Sequence, residues 1–475
     1  MIISNLNDTI CAISTPAGTG GIAVVRLSGT LAIDIADKAW QGKRLADCKS
    51  HTAHLGNLTD TDGSILDNCV ATIYRAPHSF TGDDVVEFSI HGSIWLQRAV
   101  VDMLVRRGAR IALPGEFTRR AFASGKMDLA QAEAVADMIS STSRAAHRIA
   151  VSQMRGHFST RLATLRERLL ELASLLELEL DFSEEDVEFA SRNHLLKISS
   201  DTLSEVNRLY QSFRQGHAIK EGIPVAIIGK TNAGKSSLLN SIVGDDKAIV
   251  SDIHGTTRDI IEDTIELGDY RFRFMDTAGI RHTTDSIEKI GIERSLHAAE
   301  NAQIIIMVID TSSATPVNDF NELCSNINTT TLPQLIVVLN KSDKTDSATT
   351  DGIMSAIRKK SDEHNAKFTG TQILPLSVIT GEGMDIFRKT LENREVVNNS
   401  TGENEILITN ARHAEALHHA SMNLKAVVDG LSNGLSGDFI AQDLREALSH
   451  LAEVTGEIST PDILASIFTR FCIGK

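Results

Sequence analysis

The chain has 475 residues, 42% hydrophobic and 23% charged, which is material for about three globular domains and excludes a disordered, collagenous or low-complexity polymer. Its formal charge is −15, from 47 Lys+Arg against 62 Asp+Glu; that excludes coating of nucleic acid by bulk electrostatics but leaves room for a local basic face. Aromatic residues are only 4%, few platforms for stacking single-stranded bases.

Five scattered cysteines (Cys11, Cys48, Cys69, Cys324, Cys472) form no CxxC pair, so a reducing cytoplasm is expected rather than a disulfide framework or zinc knuckle. The opening MIISNLNDTI has no basic stretch followed by an apolar one, so no secretory signal is expected. Apolar runs such as Ile304–Ile309 are strand-length, far short of the ~20 residues of a membrane span.

Residues 1–121 read as an α+β domain. TICAIST (Thr9–Thr15), GIAVVRLSG (Gly21–Gly29), NCVATIYRAP and DDVVEFSIHG are β-rich runs broken by Pro and Gly, and LQRAVVDMLVRRG predicts a helix ended by Gly108. From Phe122 the texture is helical: KMDLAQAEAVADMISSTSRAAHRIAVSQM is nearly free of breakers. Leu162, Leu165, Leu169, Leu172 and Leu176 then recur at spacings of three and four, the stripe of a bundle helix. The acidic run Glu177–Glu188 reads as a solvated face closing this segment. Over residues 216–396, the runs IPVAIIG, YRFRFMDTAG, AQIIIMVID and LPQLIVVLN alternate with helical patterns, as parallel strands in βα units do. After the polar NNSTGENE the helical texture returns, in ALHHASMNLKAVVDGL and FIAQDLREALSHLAEV. The simplest architecture is an α/β domain inserted into a helical domain built from 122–215 and 397–475.

The chemistry is densest in the inserted segment. Gly229-Lys-Thr-Asn232-Ala233-Gly234-Lys235-Ser236 fits GxxxxGK[ST], follows a strand and opens the helix SSLLNSIV, the setting the motif requires. Its glycines let backbone N–H groups surround phosphates at a helix N-terminus. Lys235 is placed to reach the β/γ-phosphates and Ser236, followed by Ser237, to bind Mg²⁺. Asp276-Thr277-Ala278-Gly279 follows the strand YRFRFM; its carboxylate can hold Mg²⁺ through water and Gly279 can approach the γ-phosphate. Asn340-Lys341-Ser-Asp343 follows LPQLIVVL. The Asp343 carboxylate can accept both N1–H and the exocyclic amine of guanine, and adenine has no matching donors. Ser377-Val378-Ile379 falls where a backbone N–H would meet guanine O6. Together these residues resemble a P-loop GTPase. Ile280 stands where Ras-like enzymes place a water-orienting Gln, so the catalytic apparatus must come from elsewhere.

Further motifs narrow the resemblance: Ser251-Asp-Ile253-His-Gly-Thr256-Thr257-Arg-Asp, then GIRHTTDSIEKIGIERS, and a terminal FCIGK. With TPAGTGGIAVVRLSG, PGEFTRRAF and KMDLAQAEA near the start, the chain resembles the MnmE (TrmE) family of tRNA-modification GTPases nearly end to end. The resemblance implies a K⁺-dependent GTPase. With an FAD flavoprotein of the MnmG type, in a heterotetramer, it installs a carboxymethylaminomethyl or aminomethyl group at C5 of the wobble uridine (U34) of certain tRNAs. It also implies a homodimer formed through a folate-binding N-terminal domain, with a 5-formyl-tetrahydrofolate-type one-carbon donor, GTP, Mg²⁺ and K⁺. Asn232, Ser251, Ile253 (through its carbonyl) and Thr256 match the family's potassium ligands, Thr257 the switch threonine on Mg²⁺, and Glu288 the glutamate that orients the attacking water. By its own setting Glu288, beside Lys289, reads as an ordinary helix-surface residue. A K⁺ near the β/γ-phosphates offers charge where an arginine finger, worth about 10³–10⁵ in rate, otherwise sits. Arg26, Glu87, Lys126 and terminal Lys475 match folate-binding positions that the residues themselves did not single out.

Other features have simpler readings. Gly18-Thr-Gly20-Gly-Ile-Ala23 imitates GxGxxA, but a strand follows where the dinucleotide fingerprint needs a helix. Cys472 sits in a CIGK end that is not a prenylation box; it is either a thiol near the one-carbon donor or a buried structural cysteine. His413, His418 and His419 lack metal-ligand spacing and read as solvated helix positions. Arg98, Arg106, Arg107, Arg110, Arg119 and Arg120 concentrate positive charge; a solvated face is the leading reading and a tRNA guide the other. Two rival functions remain: a GTP-switched RNA or ribosome assembly factor without modification chemistry, and a folate-dependent enzyme whose G domain is only regulatory.

Overall fold

The computed structural model describes residues 8–181, 192–245, 263–275, 288–329, 332–393, 406–469 and 471–474. The chain divides into two compact units, one of residues 1–139, 151–200 and 423–475, the other of 140–150 and 201–422.

The first unit opens with β1 (Ile10–Ile13), β2 (Gly20–Ser28), α1 (Ala32–Lys38), β3 (Trp40–Gln41), β4 (Thr52–Thr59), β5 (Ile65–Tyr74), β6 (Val85–Gly92), α2 (Ile94–Arg106) and β7 (Arg110–Ile111). They form one seven-stranded sheet in the order β3-β4-β5-β6-β2-β1-β7, antiparallel except where β7 pairs with β1. Alternate residues of β2, β5 and β6, among them Val25, Leu27, Ile73, Phe88 and Ile90, point into a core completed by Leu96, Val100 and Leu104 of α2. Gly108, at φ 107°, follows the end of α2 as the sequence predicts. The Gly18–Ala23 segment enters strand β2, not a helix, so the dinucleotide reading is excluded.

Next come α3 (Glu116–Ala123), α4 (Leu129–Ser140), α5 (Arg144–Met154), α6 (His157–Asp181) and α7 (Arg192–Glu221). The sequence shows no breaker between Lys126 and Met154, yet the helix stops at Ser140. The reason is local: Ser143 Oγ accepts the Ala146 N–H at 3.2 Å, restarting the chain as α5. The five leucines of α6 are each 2% exposed or less, a buried stripe. The acidic run that follows has its side chains from residue 179 outside the described residues. Helix α6 packs on the helix Gly437–Thr455, whose own buried residues include Ile440, Leu444, Ala447 and Leu451.

The second unit contains β8 (Ile223–Gly229), α8 (Lys235–Asp245), β9 (Asp263–Leu267), β10 (Tyr270–Phe274), α9 (Glu288–Asn301), β11 (Ile304–Asp310), α10 (Pro316–Asn326), β12 (Gln334–Asn340), α11 (Ser347–Glu363), β13 (Gly370–Pro375) and α12 (Met384–Glu392). Its six-stranded sheet runs β13-β12-β11-β8-β10-β9, parallel but for the β9 edge. β8 and β12 are buried along their whole length, and two apolar clusters cover the two faces, which is why these strands read as unbroken hydrophobic runs.

The last helices are α13 (Ala411–Asn433), α14 (Gly437–Thr455) and α15 (Pro461–Phe468). One histidine departs from expectation: His413 is 1% exposed, because it occupies the buried stripe of α13 with Leu417, Ala420 and Leu424. His418 and His419 are exposed as predicted, His418 stacking on Tyr210 at 5.0 Å.

Candidate functional site

β8 lies between β10 and β11, where the strand order reverses; in such sheets ligands bind beyond the carboxyl ends of the strands at that point. The loop from Gly229 to Lys235 leaves β8 there and enters α8. Asn232 (φ 61°) and Gly234 (φ 102°) are left-handed, turning the backbone sharply. A side chain at 234 would collide with Asn340 Nδ2, so glycine is required. Lys235 opens α8, and its Nζ donates to the carbonyls of Gly229 (2.7 Å) and Lys230 (2.9 Å). Ser236 is half-buried beside it and Ser237 is exposed. The turn, the helix N-terminus and the placed ammonium fit a polyphosphate.

Asn340, buried at the end of β12, joins three motifs. Its Nδ2 donates to the Ala233 carbonyl at 2.8 Å, and its Oδ1 accepts the Val378 N–H at 3.2 Å. The phosphate loop, the NKxD segment and the Ser377-Val378-Ile379 segment thus meet on one side chain. Ser377 is buried, Val378 packs on the core and Ile379 is exposed. Asp343 stands exposed on a 3₁₀ turn, Ser342–Lys344, directly after left-handed Lys341. Lys341 Nζ donates to Asp310 Oδ2 at 2.6 Å. Burial opposes charge on Asp310, but hydrogen bonds from Lys341 and Ser312 outweigh it and hold the carboxyl below its usual range.

Several expected residues lie outside the described ones: Ser251, Ile253, Thr256, Thr257, Asp276, Thr277, Ala278, Gly279 and Lys475. Glu288 is the first residue of α9, and its side chain also lies outside them.

In the seven-stranded sheet Arg26 of β2 faces Glu87 of β6 across the ladder, Nε to Oε1 2.8 Å, and both side chains are about one-fifth exposed. The Arg26 guanidinium carbon lies 5.5 Å from the ring centres of Phe80 and Phe117. Lys126 is exposed and close to the Gly82 turn, two residues beyond Phe80. The segment after α15 returns to this sheet. Gly115 N–H donates to the Cys472 carbonyl at 3.4 Å, and Ser14 Oγ donates to the Gly474 carbonyl at 3.0 Å. Cys472 itself is exposed, which removes its reading as a buried structural cysteine.

The arginine cluster is not one solvated face. Arg120 is 3% exposed and Arg110 half-buried; both pair with Asp8 and with Glu116, whose side chain is 1% exposed. Arg107 caps the carbonyls of Lys38, Thr59 and Asp60, and Arg106 pairs with Asp60. Burial works against charge on Glu116, yet the hydrogen bonds from Arg110 and the Leu113 N–H keep its carboxyl below the ordinary range.

Sequence reasoning missed Lys230, Asp310, Thr311 and Asp319 around the phosphate and guanine loops, and Phe80 and Phe117 beside Arg26. Asp310 had one available signal, a carboxylate at the end of a buried parallel strand; the others have none outside three dimensions.

A family model described as the MnmE helical domain matches residues 129–472, and one described as the GTP-binding protein TrmE N-terminus matches residues 9–126. The chain is 47% identical to a "tRNA modification GTPase MnmE" of Parabacteroides distasonis over 98% of this chain and 100% of that one. It is 45% identical to a protein of the same description from Bacteroides thetaiotaomicron, over 98% and 99%. Among solved structures it is similar to a point variant of Aquifex aeolicus Era bound to GDP·AlF₄⁻, at 28% identity over 42% of this chain and 65% of that one, with a TM-score of 0.27.

Proposed function

The chain belongs to the MnmE family, and on that premise we propose that it hydrolyses GTP and acts in the modification of tRNA. The observation that carries this reading is the double hydrogen bond of Asn340, which sets the phosphate loop and the guanine-reading segments around one point. Asp343 then accepts guanine N1–H and the exocyclic amine, charged hydrogen bonds worth about 1.5–3 kcal/mol each that adenine cannot form. The Val378 amide is already engaged by Asn340, so guanine O6 shares or exchanges that long bond, or meets the amide of Ile379.

The finer reading follows the family. Ser236, Thr257 and, through water, Asp276 would hold Mg²⁺, which would neutralise charge at the β/γ-phosphates; Asn232, Ser251, the Ile253 carbonyl and Thr256 would hold K⁺, which would offer charge where an arginine finger otherwise sits. Glu288 positions the attacking water. The seven-stranded domain (1–121) takes a tetrahydrofolate one-carbon donor with Arg26, Glu87, Lys126 and Lys475, and dimerises. The GTPase segment (216–396) is inserted in a helical domain of 122–215 and 397–475. With an MnmG-type flavoprotein the cytoplasmic dimer alters C5 of the wobble uridine. Cross-strand pairing of Arg26 with Glu87 supports the second site, since it brings two family positions distant in sequence together on one sheet.

Two measurements test this. GTP turnover in K⁺ should exceed that in Na⁺ at least tenfold; equal rates would remove the cation role. Nucleoside analysis of tRNA from cells lacking the gene should show unmodified wobble uridines; unchanged uridines would favour an assembly factor.

A further inference from the structure

The connection from β11 to α10 runs between the two nucleotide-reading loops and belongs to no motif read from the sequence. Its first part reaches the guanine side. Asp310 holds Lys341, and Thr311 Oγ1 donates to the carbonyls of Asn340 and Lys341, both at 3.0 Å. Its second part reaches the phosphate side through Asp319, in the first turn of α10. Asp319 Oδ2 accepts Ser313 Oγ at 2.9 Å, while Oδ1 accepts Thr315 Oγ1 at 3.1 Å and pairs with Lys230 Nζ at 2.9 Å. The carboxylate is 9% exposed and both oxygens are engaged, so its position is over-determined rather than that of a loose surface ion. Lys230 Nζ also meets Glu322 at 2.7 Å, but Glu322 is 61% exposed and adds little.

Lys230 is the second residue of the phosphate loop. Its side chain is anchored outward to α10 while its carbonyl faces inward, holding Lys235 Nζ at 2.9 Å and the Ala233 N–H at 3.3 Å. We propose that Asp319 is a positioning residue for nucleotide binding: by fixing Lys230 it fixes the carbonyl that aims Lys235 at the phosphates. The proposal rests on the GTP-binding reading above.

Apparent affinity falls in proportion to the fraction of molecules whose loop is competent. Without the anchor, a loop that is competent about one-tenth of the time binds about tenfold more weakly. A bound polyphosphate then holds Lys235 itself, so the penalty falls on binding and not on turnover.

The test is titration of a fluorescent GDP analogue into the full chain and its variants, with GTP kinetics alongside. Asp319→Asn and Lys230→Met should each weaken GDP about tenfold, and the double variant no more than the worse single, because both break one link. Lys230→Arg should restore most of the affinity. KM for GTP should rise while kcat changes less than twofold. Unchanged affinity in Lys230→Met, penalties that add, or a loss confined to kcat would overturn the proposal. Lys230 is 45% exposed, so its variant folds even if Asp319→Asn does not, and it decides alone. If the unmodified chain binds no GDP, the GTP reading itself falls.

Discussion

In the six-stranded sheet the candidate groups stand at strand ends: Gly229 to Ser236 beyond β8, Asp310 at the end of β11, Asn340 to Asp343 at and after β12, Ser377 to Ile379 after β13. In the seven-stranded sheet they stand mid-ladder, Arg26 on β2 against Glu87 on β6, with Lys126 and the segment near Cys472 brought in from far along the chain. The first site is built largely from backbone turns, each fixed by a few adjacent residues. The second is built from side chains, one to an element. Parallel strands collect their loops at one edge, so contiguous motifs suffice; an antiparallel face collects residues scattered in sequence.

The sharpest way to break this contrast is Lys235→Ala. It should lower GTP turnover by about 10²–10³, as removal of a preorganised charge-stabilising donor does, and leave thermal stability unchanged. Turnover that survives would mean that the strand-end site is not the reactive one.

Next in size is the Asp8–Arg110–Glu116–Arg120 network, which the contrast treats as structure. Glu116→Gln should cost about 3 kcal/mol in denaturant unfolding, because it leaves buried arginine charge short of a partner. The same network sets an acid limit. Asp8 and Glu116 are held below their ordinary values of 3.8 and 4.5 in the folded chain, so their contribution is complete above those values. It is lost as pH falls below about 4 and through the lowered folded values. A stability profile flat through that range would remove the ion pairs from the account.

The smallest effect sharpens the comparison. Arg26→Gln should cost only about 1 kcal/mol of stability, since both ends of its pair are partly in water, yet weaken binding of a tetrahydrofolate one-carbon donor about tenfold. A stability loss as large as that of Glu116→Gln, with donor binding intact, would make Arg26 a structural residue.

The same geometry decides what could be read from the sequence. GxxxxGK[ST] and NKxD were legible because the turn that needs glycine at 234 and the strand that delivers Asn340 are each local. The leucine stripe of α6 was legible because burial repeats along one helix. Glycine at 234 had a further reason that no spacing shows, the Asn340 side chain from more than a hundred residues away. Arg110 and Arg120 looked like surface charge because their carboxylate partners are spread from Asp8 to Glu116. Arg26 and Glu87 became candidates only through family resemblance; the ladder register that pairs them is a property of the folded sheet.

The cysteines carry a practical consequence. Cys11, Cys48, Cys69 and Cys324 are buried, and burial pushes the thiols of Cys11, Cys69 and Cys324 up to about 12, leaving almost no thiolate at neutral pH. Cys472 alone is exposed, and its carbonyl accepts from the Gly115 amide. A maleimide dye or spin label added to the unmutated protein therefore attaches at one position, giving a built-in spectroscopic reporter beside the edge of the antiparallel sheet.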